Sequence, residues 1–381
     1  MLNTYDDAMS AMIRRINAGL SASLDGFPHY AEPRTGEWTL TPDGFWTGGY
    51  WVGELWLAWL ATHDPQYKGA AEQWLARLGN RIHSKTVFRG FLFLHAAALG
   101  ADLADSKRGR AFAIDSARSL AATFDESAGL MPLGQDAEEA HTVSNTDTNI
   151  DGLTASPLLL WAADAADDQD LRRVALSHAH RNAHYCMLDD GRVIQSASFN
   201  AQTGEILKRF THKGSSDDSV WTRAQGWAML GYAVCAGMAP EDEALLQHAV
   251  TATDWWLAHA PADHVAYWDF DAAQAGDTRR DTSGTAIAAS ALLKLSKLVG
   301  GDRADEYRNR GRLMVEALVE HHLQVGKGGK GNADGLLADG CFDMRSGAGT
   351  SHELIWGSYY LLESLLVLRG NTAGKSRIIG V

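Results

Sequence analysis

The sequence has few cysteines and prolines, few basic residues, and no long apolar run. Among 381 residues there are three cysteines and eight prolines. Cys186, Cys235 and Cys341 form no CxxC motif and no disulfide framework, which favours a reducing compartment and predicts a cytoplasmic protein. No apolar run approaches the roughly 18 residues of a membrane helix. The first residues lack the basic and apolar segments of a signal peptide, so we expect no membrane association.

Basic residues are outnumbered, with 34 Lys and Arg against 47 Asp and Glu and a net charge of −13. Nucleic-acid-binding proteins usually carry a basic face, so we expect no nucleic-acid partner. An acidic substrate stays compatible with this charge, because a few local Arg or Lys residues set the field inside a cleft. The sequence does not indicate an oligomeric state.

Motifs for cofactors and metals are also missing. The glycine-rich segment 327–332 lacks the spacing of a phosphate-binding loop and is expected to be a flexible loop. His178, His180 and His184 have helical spacing but no matching carboxylate, so we interpret them as a solvated face of an outer helix and not as a zinc site. We therefore expect neither a cofactor nor a metal.

The sequence does contain a regular alternation of two kinds of helical segment. Six segments are apolar nearly all round, which is typical of buried helices. They begin near residues 44, 90, 151, 225, 284 and 356. Each follows a charged, amphipathic segment, and these lie near 6–20, 66–83, 108–124, 170–187, 242–259 and 302–322.

Six outer amphipathic helices alternating with six inner apolar helices describe an all-α fold, an (α/α)₆ toroid. The sequence has no linker rich in Pro, Gly or Ser, so we expect one catalytic domain over residues 1–381. Strand signals are weak, apart from a short inserted hairpin predicted near 190–210.

In such a toroid, the turns that precede the inner helices converge on one mouth. The loop 209–227 is the most informative of them, because it combines cationic side chains with Trp221 and Trp227. The planar guanidinium group of Arg and the ring face of Trp are suited to binding a charged sugar. The residues at these turns are Phe45, Trp46, Phe88, Arg89, Asn149, Asp151, His212, Lys213, Arg223, Gln225, Trp227, Asp281, Thr282 and His352.

Asp151 is the acid that stands out, since it begins an inner helix after a polar stretch. In an apolar pocket its pKa would be raised by desolvation, and it could carry a proton near neutral pH. As a helix N-cap, its pKa would be lowered instead. The sequence leaves both interpretations open, and Asp147 is the next acid that could pair with Asp151.

From about Gly44 to Leu368 the chain resembles the unsaturated glucuronyl hydrolases, glycoside hydrolase family 88. The blocks that carry the resemblance include GFWTG at 44–48, DGLTASPLLLWA at 151–162, YWDFD at 267–271 and RDTSGTAIAAS at 280–290. The most specific block is THKGSSDDSVWTRAQGW at 211–227.

The resemblance implies hydrolysis of lyase-generated acidic oligosaccharides whose non-reducing uronate carries a C4=C5 double bond. An Asp protonates C4, water adds at C5, and the hemiketal collapses to release the next sugar. Asp151 takes this acid/base role by resemblance. The expected substrate-binding residues are Trp46, Phe88, Arg89, Phe91, Asn149, Gln195, His212, Lys213, Trp221, Arg223, Gln225, Trp227 and His352.

Several positions depart from the family pattern. Phe88 stands where a second acid is usual, with Arg89 beside it, and Gln195 and Lys213 replace a His and a Gln. The altered positions predict a changed substrate, such as one with a further anionic group. They would also fit a sequence that has lost activity.

Two alternatives to this function stay open. One is another carbohydrate enzyme on the same toroid, such as an epimerase-like isomerase, and the other is a catalytically silent sugar-binding protein. Loss of the double-bond absorbance of unsaturated disaccharides distinguishes the hydrolase from both. Tight binding without turnover would favour the binding protein.

Overall fold

The computed structural model of the chain describes residues 2–200, 202–326, 333–372 and 374–380. The segment 327–332, for which the sequence predicts a flexible loop, lies outside the described residues. In chain order the helices are α1 (Leu2–Ser21), α2 (Gly48–Thr62), α3 (Pro65–Arg77), α4 (Arg89–Phe93), α5 (Leu99–Ala104), α6 (Lys107–Ala121), α7 (Ala155–Ala166), α8 (Gln169–Cys186), α9 (Thr222–Met238), α10 (Glu243–His259), α11 (Phe270–Gln274), α12 (Thr282–Leu298), α13 (Gly301–His321) and α14 (Ile355–Leu368).

Six of these helical units form an inner ring. They are α2, α4 with α5, α7, α9, α12 and α14, and α4 is joined to α5 by the π-helical turn Leu94–Ala98. Each unit contacts the next, and α14 returns to contact α2, which closes the ring. Every residue of α9 except Gly237 is buried, as expected for a helix that is covered on all sides.

The outer layer consists of α1, α3, α6, α8, α10 and α13, and it alternates with the inner ring along the chain. In α8 the buried residues Leu171, Val174 and Ala175 follow the spacing of an amphipathic stripe. Two of the outer helices, α3 and α6, begin at polar caps: Asp64 accepts from the Gln66 amide and Ser106 from the Gly109 amide. The predicted alternation of inner and outer helices is thus present in the described chain.

Two small sheets lie beside the helices. The strands are β1 (Phe27–Ala31), β2 (Trp38–Thr41), β3 (Thr148–Asn149), β4 (Ser196–Phe199), β5 (Ile206–Phe210) and β6 (Glu353–Leu354). The antiparallel pair β4–β5 falls within the range predicted for a hairpin, and β3 extends it. The sheet of order β2-β1-β6 was not predicted, because its strands are short and β6 comes from the far end of the chain.

One continuous set of buried apolar side chains reaches from Tyr5 to Ile379. Ile378, after α14, packs into the interior of the ring beside His95 and Lys294. None of the described helices combines the length and apolar character needed to cross a membrane.

Candidate active site

A pocket opens at the end of the ring where the inner helices begin. Its walls combine six aromatic side chains with two carboxylates and two cations. These are Trp46, Phe88, Phe91, Trp221, Trp227 and Phe342, together with Glu138, Asp151, Lys213 and Arg223. The free space inside is only about 10 Å³, close to that of a single water molecule. Side chains therefore have to move before a sugar can enter.

Asp151 lies in the 3₁₀ turn Ile150–Thr154, directly before α7. The N-cap of this turn is Asn149, whose Oδ1 accepts from the Gly152 amide at 3.0 Å. Asp151 is buried, lines the pocket, and accepts at Oδ2 from Gln195 Nε2 at 3.2 Å. Because Asn149 fills the capping role, the alternative in which Asp151 is the N-cap does not describe this turn.

Gln195 connects the two sides of the site. Its Oε1 accepts from the Lys213 backbone amide at 3.1 Å, and its backbone carbonyl accepts from the Ile150 amide at 2.9 Å. The first contact fixes the orientation of the side-chain amide, so the NH₂ group faces Asp151. Gln195 thereby holds the Asp151 carboxylate in place at the pocket wall.

The turn that carries Asp151 is also held from the outer layer. His178 on α8 is fully buried, accepts from the Met131 amide at 3.1 Å, and reaches the Gly152 carbonyl with Nε2 at 3.0 Å. Burial lowers its pKa to about 4. Our interpretation of His178 as part of a solvated histidine face was wrong, because α8 turns this residue inward.

Glu138, like Phe342, is a pocket residue that the sequence did not suggest. Its Oε1 lies 2.6 Å from Lys213 Nζ, and its Oε2 accepts from Trp46 Nε1 at 2.8 Å. Lys213 Nζ also lies 3.8 Å from Asp343 Oδ2 and 4.7 Å from the centre of the Phe342 ring. Glu138 belongs to the short turn Glu138–His141, and an acid in a polar loop gives no sequence signal of such a contact.

Asp147, the acid suggested as a partner of Asp151, is used elsewhere. Its carboxylate accepts from Ser198 Oγ at 2.6 Å, and burial raises its pKa. It is not among the residues that line the pocket. The second carboxylate of the pocket is therefore that of Glu138 and not that of Asp147.

Arg223 lines the pocket, but its guanidinium is held by the protein itself. It forms a fully buried ion pair with Asp281 at 2.6 Å and donates to the carbonyls of Cys341 and Phe342. It also stacks over the Trp221 ring, 4.2 Å from its centre. These contacts fix the segment that carries Phe342 against the start of α9.

His212 lies next to the pocket lining. Its Nδ1 is 2.9 Å from Ser196 Oγ on β4. Burial lowers the pKa of His212 to about 4, and the negative charge of Asp151 opposes that shift. His212 is therefore neutral at physiological pH and can act through hydrogen bonds.

Besides Gln195 and His212, four residues expected to contact the substrate are not among those that line the pocket. Arg89 donates to the Ile82 carbonyl at 2.6 Å and to Ser119 Oγ on α6 at 2.8 Å, so it faces the outer layer. Gln225 donates to the carbonyls of Gly191 and Ala252 at 2.8 and 2.9 Å. Both side chains donate to backbone carbonyls that lie outside the pocket lining.

Asn149 and His352 are the other two. Asn149 is fully buried, and its Oδ1 serves as the cap of the Asp151 turn. His352 lies beside Tyr30, with the ring centres 5.4 Å apart, at the edge of the β2-β1-β6 sheet. Asn149 thus lies behind the turn that carries Asp151, and His352 lies at the margin of the site.

Comparison with known proteins accords with this geometry. No protein-family model matches the chain. The chain is 30% identical over 362 residues to the unsaturated glucuronyl hydrolase of Bacillus sp. strain GL1, and the match covers 92% of this chain and 93% of the relative. The chain belongs to the unsaturated glucuronyl hydrolase family. It is thus a glycoside hydrolase, and the family predicted from its motifs is confirmed.

Further relatives and a solved structure agree. The unsaturated chondroitin disaccharide hydrolase of Streptococcus pneumoniae is 28% identical over 374 residues, covering 94% of this chain and 90% of the relative. The crystal structure of the unsaturated glucuronyl hydrolase from Bacillus sp. GL1, named as responsible for glycosaminoglycan degradation, superposes with a TM-score of 0.88 at 28% identity. That superposition covers 97% of this chain and 98% of the other, and it confirms the (α/α)₆ toroid.

Proposed function

We propose that this chain hydrates the C4=C5 double bond of a 4,5-unsaturated uronate at the non-reducing end of an oligosaccharide, and so releases the remaining sugar. One observation carries the proposal: the buried carboxylate of Asp151 lines an aromatic pocket and is oriented there by Gln195. The activities named for the relatives of Bacillus and Streptococcus pneumoniae support the same substrate class.

In the proposed reaction the protonated Asp151 donates its proton to C4. The electrons of the double bond form the new C4–H bond, and the positive charge left at C5 is shared with the ring oxygen. Water adds to C5 and gives its proton to the Asp151 carboxylate. The bond between C5 and the ring oxygen then breaks to a ketone, and the hemiacetal left at C1 expels the leaving sugar. One carboxyl group therefore serves as acid and then as base.

The other pocket residues have binding roles in this proposal. Trp46 and Trp227 line the pocket, with ring centres 5.1 and 4.9 Å from that of Phe91, and offer faces on which a sugar ring can stack. Gln195 is a positioning residue, because it acts on the substrate through Asp151. Arg223 acts mainly by holding Phe342 in the wall of the pocket.

We also propose an unusual substrate preference. Of the two extra cations noted in the sequence, Lys213 lies in the pocket and Arg89 faces the outer layer. Phe88 lines the pocket as an apolar side chain and cannot accept hydrogen bonds from sugar hydroxyls. The presence of Lys213 and of an apolar Phe88 in the pocket supports a substrate that has an additional anionic group, in preference to a related substrate that lacks that group.

The extent of the domain and the location of the protein are proposals as well. The continuous buried core from Tyr5 to Ile379 supports one catalytic domain over residues 1–381. The three cysteines are unpaired and buried, which fits the predicted cytoplasmic location.

The proposal is tested by replacing Asp151→Asn and following the absorbance of the conjugated double bond with unsaturated disaccharides. The amide keeps the shape of the side chain but cannot donate the proton. We expect kcat to fall by about a hundredfold to ten-thousandfold. The variant should still bind the disaccharide, with a Kd from calorimetry close to the KM of the wild type.

Asp147→Asn is the matched control, since Asp147 is a nearby acid that is bonded to Ser198 outside the pocket lining. Its turnover should remain close to that of the wild type. Wild-type turnover in Asp151→Asn, or equal losses in both variants, would refute the assignment of the acid.

A further inference from the structure

The pocket contains a carboxylate that is held as a bound anion would be. Glu138 receives a hydrogen bond from the Trp46 indole at 2.8 Å, and its other oxygen lies 2.6 Å from the Lys213 ammonium. Contacts of a carboxylate with a cationic donor are among the strongest hydrogen bonds in proteins. An indole N–H and an ammonium group together make a seat for one anionic group, and here a side chain of the chain itself fills it.

The loop that delivers Glu138 is fixed at its base. The amide of Gly134 donates to the Asn145 carbonyl at 2.9 Å, and Asp136 exchanges two bonds with the backbone of Lys85. Gly134 has a φ of 85°, and a Cβ there would lie 2.3 Å from the Lys85 carbonyl oxygen, so only glycine fits. The loop is thus anchored beside the segment that carries Phe88.

The side chain of Glu138 can leave its seat without moving that base. It is 22% exposed and borders solvent, whereas Lys213 is 8% exposed. Rotation about the Glu138 side-chain bonds would return its carboxylate to water, where it is well solvated. Lys213 would then keep Asp343 at 3.8 Å as a weaker counter-ion.

A sugar acid cannot share the seat with Glu138. The free space of about 10 Å³ leaves no room for a ring, and two carboxylates at one ammonium would repel each other. The other cation of the pocket, Arg223, is already engaged by Asp281 and by two carbonyls. At the seat formed by Trp46 and Lys213, an anionic group of the substrate can therefore replace the carboxylate of Glu138.

We propose that Glu138 is an internal stand-in for an anionic group of the substrate, a carboxylate or a sulfate, and that it withdraws when the substrate binds. Glu138 is then a specificity-determining residue: it admits only ligands whose anionic group replaces it at Trp46 and Lys213. This inference rests on the proposed function for the identity of the sugar. The anion seat itself depends only on the contacts of Glu138.

The test is Glu138→Gln, which keeps the size of the side chain and removes its charge. With Lys213 no longer neutralised by this residue, an anionic substrate should bind more tightly. We expect KM to fall by about fivefold or more. The substituted side chain loses its charged contact with Lys213, whereas the anionic group of the substrate keeps its own. The value of kcat should not change. Glu126→Gln, on the surface with a 73% exposed side chain, is the control for net charge and should leave KM unaltered.

Unsaturated disaccharides with and without a sulfate distinguish the two sources of the anion. A lower KM for both substrates assigns the seat to the uronate carboxylate, and a lower KM for the sulfated one alone assigns it to the sulfate. An unchanged or higher KM with both, or a fall in kcat, would overturn the proposal. In that case Glu138 would itself contribute to binding or catalysis, and the substrate would not displace it.

Calorimetry separates this proposal from the proposed function. Titration of the disaccharides into Asp151→Asn, with and without Glu138→Gln, measures Kd without turnover, and sodium sulfate probes the seat alone. If the wild type consumes no double bond but Glu138→Gln binds sulfate more tightly, the function fails and the seat stands. If turnover is normal and no anion binds more tightly, only the seat fails. Glu138→Asp, too short to reach both donors, should give an intermediate effect and serves if the Gln variant is unstable.

Discussion

One Lys–Glu pair lies at the mouth of the ring, and another lies between two of its inner helices. Lys294 on α12 contacts Glu363 on α14, and Ser290 and Tyr359 also donate to that carboxylate. Both charged side chains are at most 2% exposed. Lys213 and Glu138 instead come from two loops, and Glu138 borders solvent.

The difference shows how the same pair of residue types can serve two purposes. The inner pair lies on two packed helices, so the ring fixes its geometry. If the two side chains separated, a charge would be left buried without its counter-ion. The mouth pair is carried by loops beside a pocket, so one partner can return to water at small cost. The first pair belongs to the fold, and we assign the second to binding.

The largest expected effect comes from breaking the inner pair. Glu363→Ala leaves Lys294 buried without its counter-ion, and removal of one partner of a buried pair costs about 3–5 kcal/mol. The free energy of unfolding from denaturant titration should fall by that amount. The double variant Glu363→Leu with Lys294→Met should recover most of the loss, because no charge is then left buried. A small loss in the single variant would contradict the contrast between the two pairs.

A smaller effect on stability, with a larger one on binding, is expected at the mouth. Lys213→Gln should lower the free energy of unfolding by less than Glu363→Ala does, since Glu138 is 22% exposed and can be rehydrated. The KM should rise for both disaccharides if Lys213 binds the uronate carboxylate, and for the sulfated disaccharide alone if it binds the sulfate. Denaturant titration and kinetics with both disaccharides measure the two quantities. A stability loss as large as that of Glu363→Ala would show that the mouth pair is structural too.

The fold could be predicted from the sequence because its main signal is local. Helices that are apolar all round and helices with one apolar stripe can be distinguished from residue spacing, and their alternation indicates the ring. The β2-β1-β6 sheet could not be predicted, because β6 has two residues and pairs with a strand that is more than 300 positions away. Pairing over such distances leaves no local pattern.

The site was predictable in part for the same reason. Turns before inner helices were expected to meet, and Trp46, Asp151 and Trp227 do line one pocket. Arg89 and Gln225 occupy similar turns but point to backbone carbonyls, because neighbouring positions in the first turn of a helix face different sides. Glu138 could not be found, since its loop reaches the pocket only through tertiary contacts.

In the proposed reaction, proton transfer to C4 of an unsaturated uronate is the first step. The most direct measurement is the reaction of an unsaturated disaccharide in D₂O, with the product examined by NMR. We expect one deuteron at C4 of the released keto-acid, delivered to a single face, and no incorporation with Asp151→Asn. Cleavage that leaves the double bond intact, or deuterium placed on both faces of C4 equally, would contradict it.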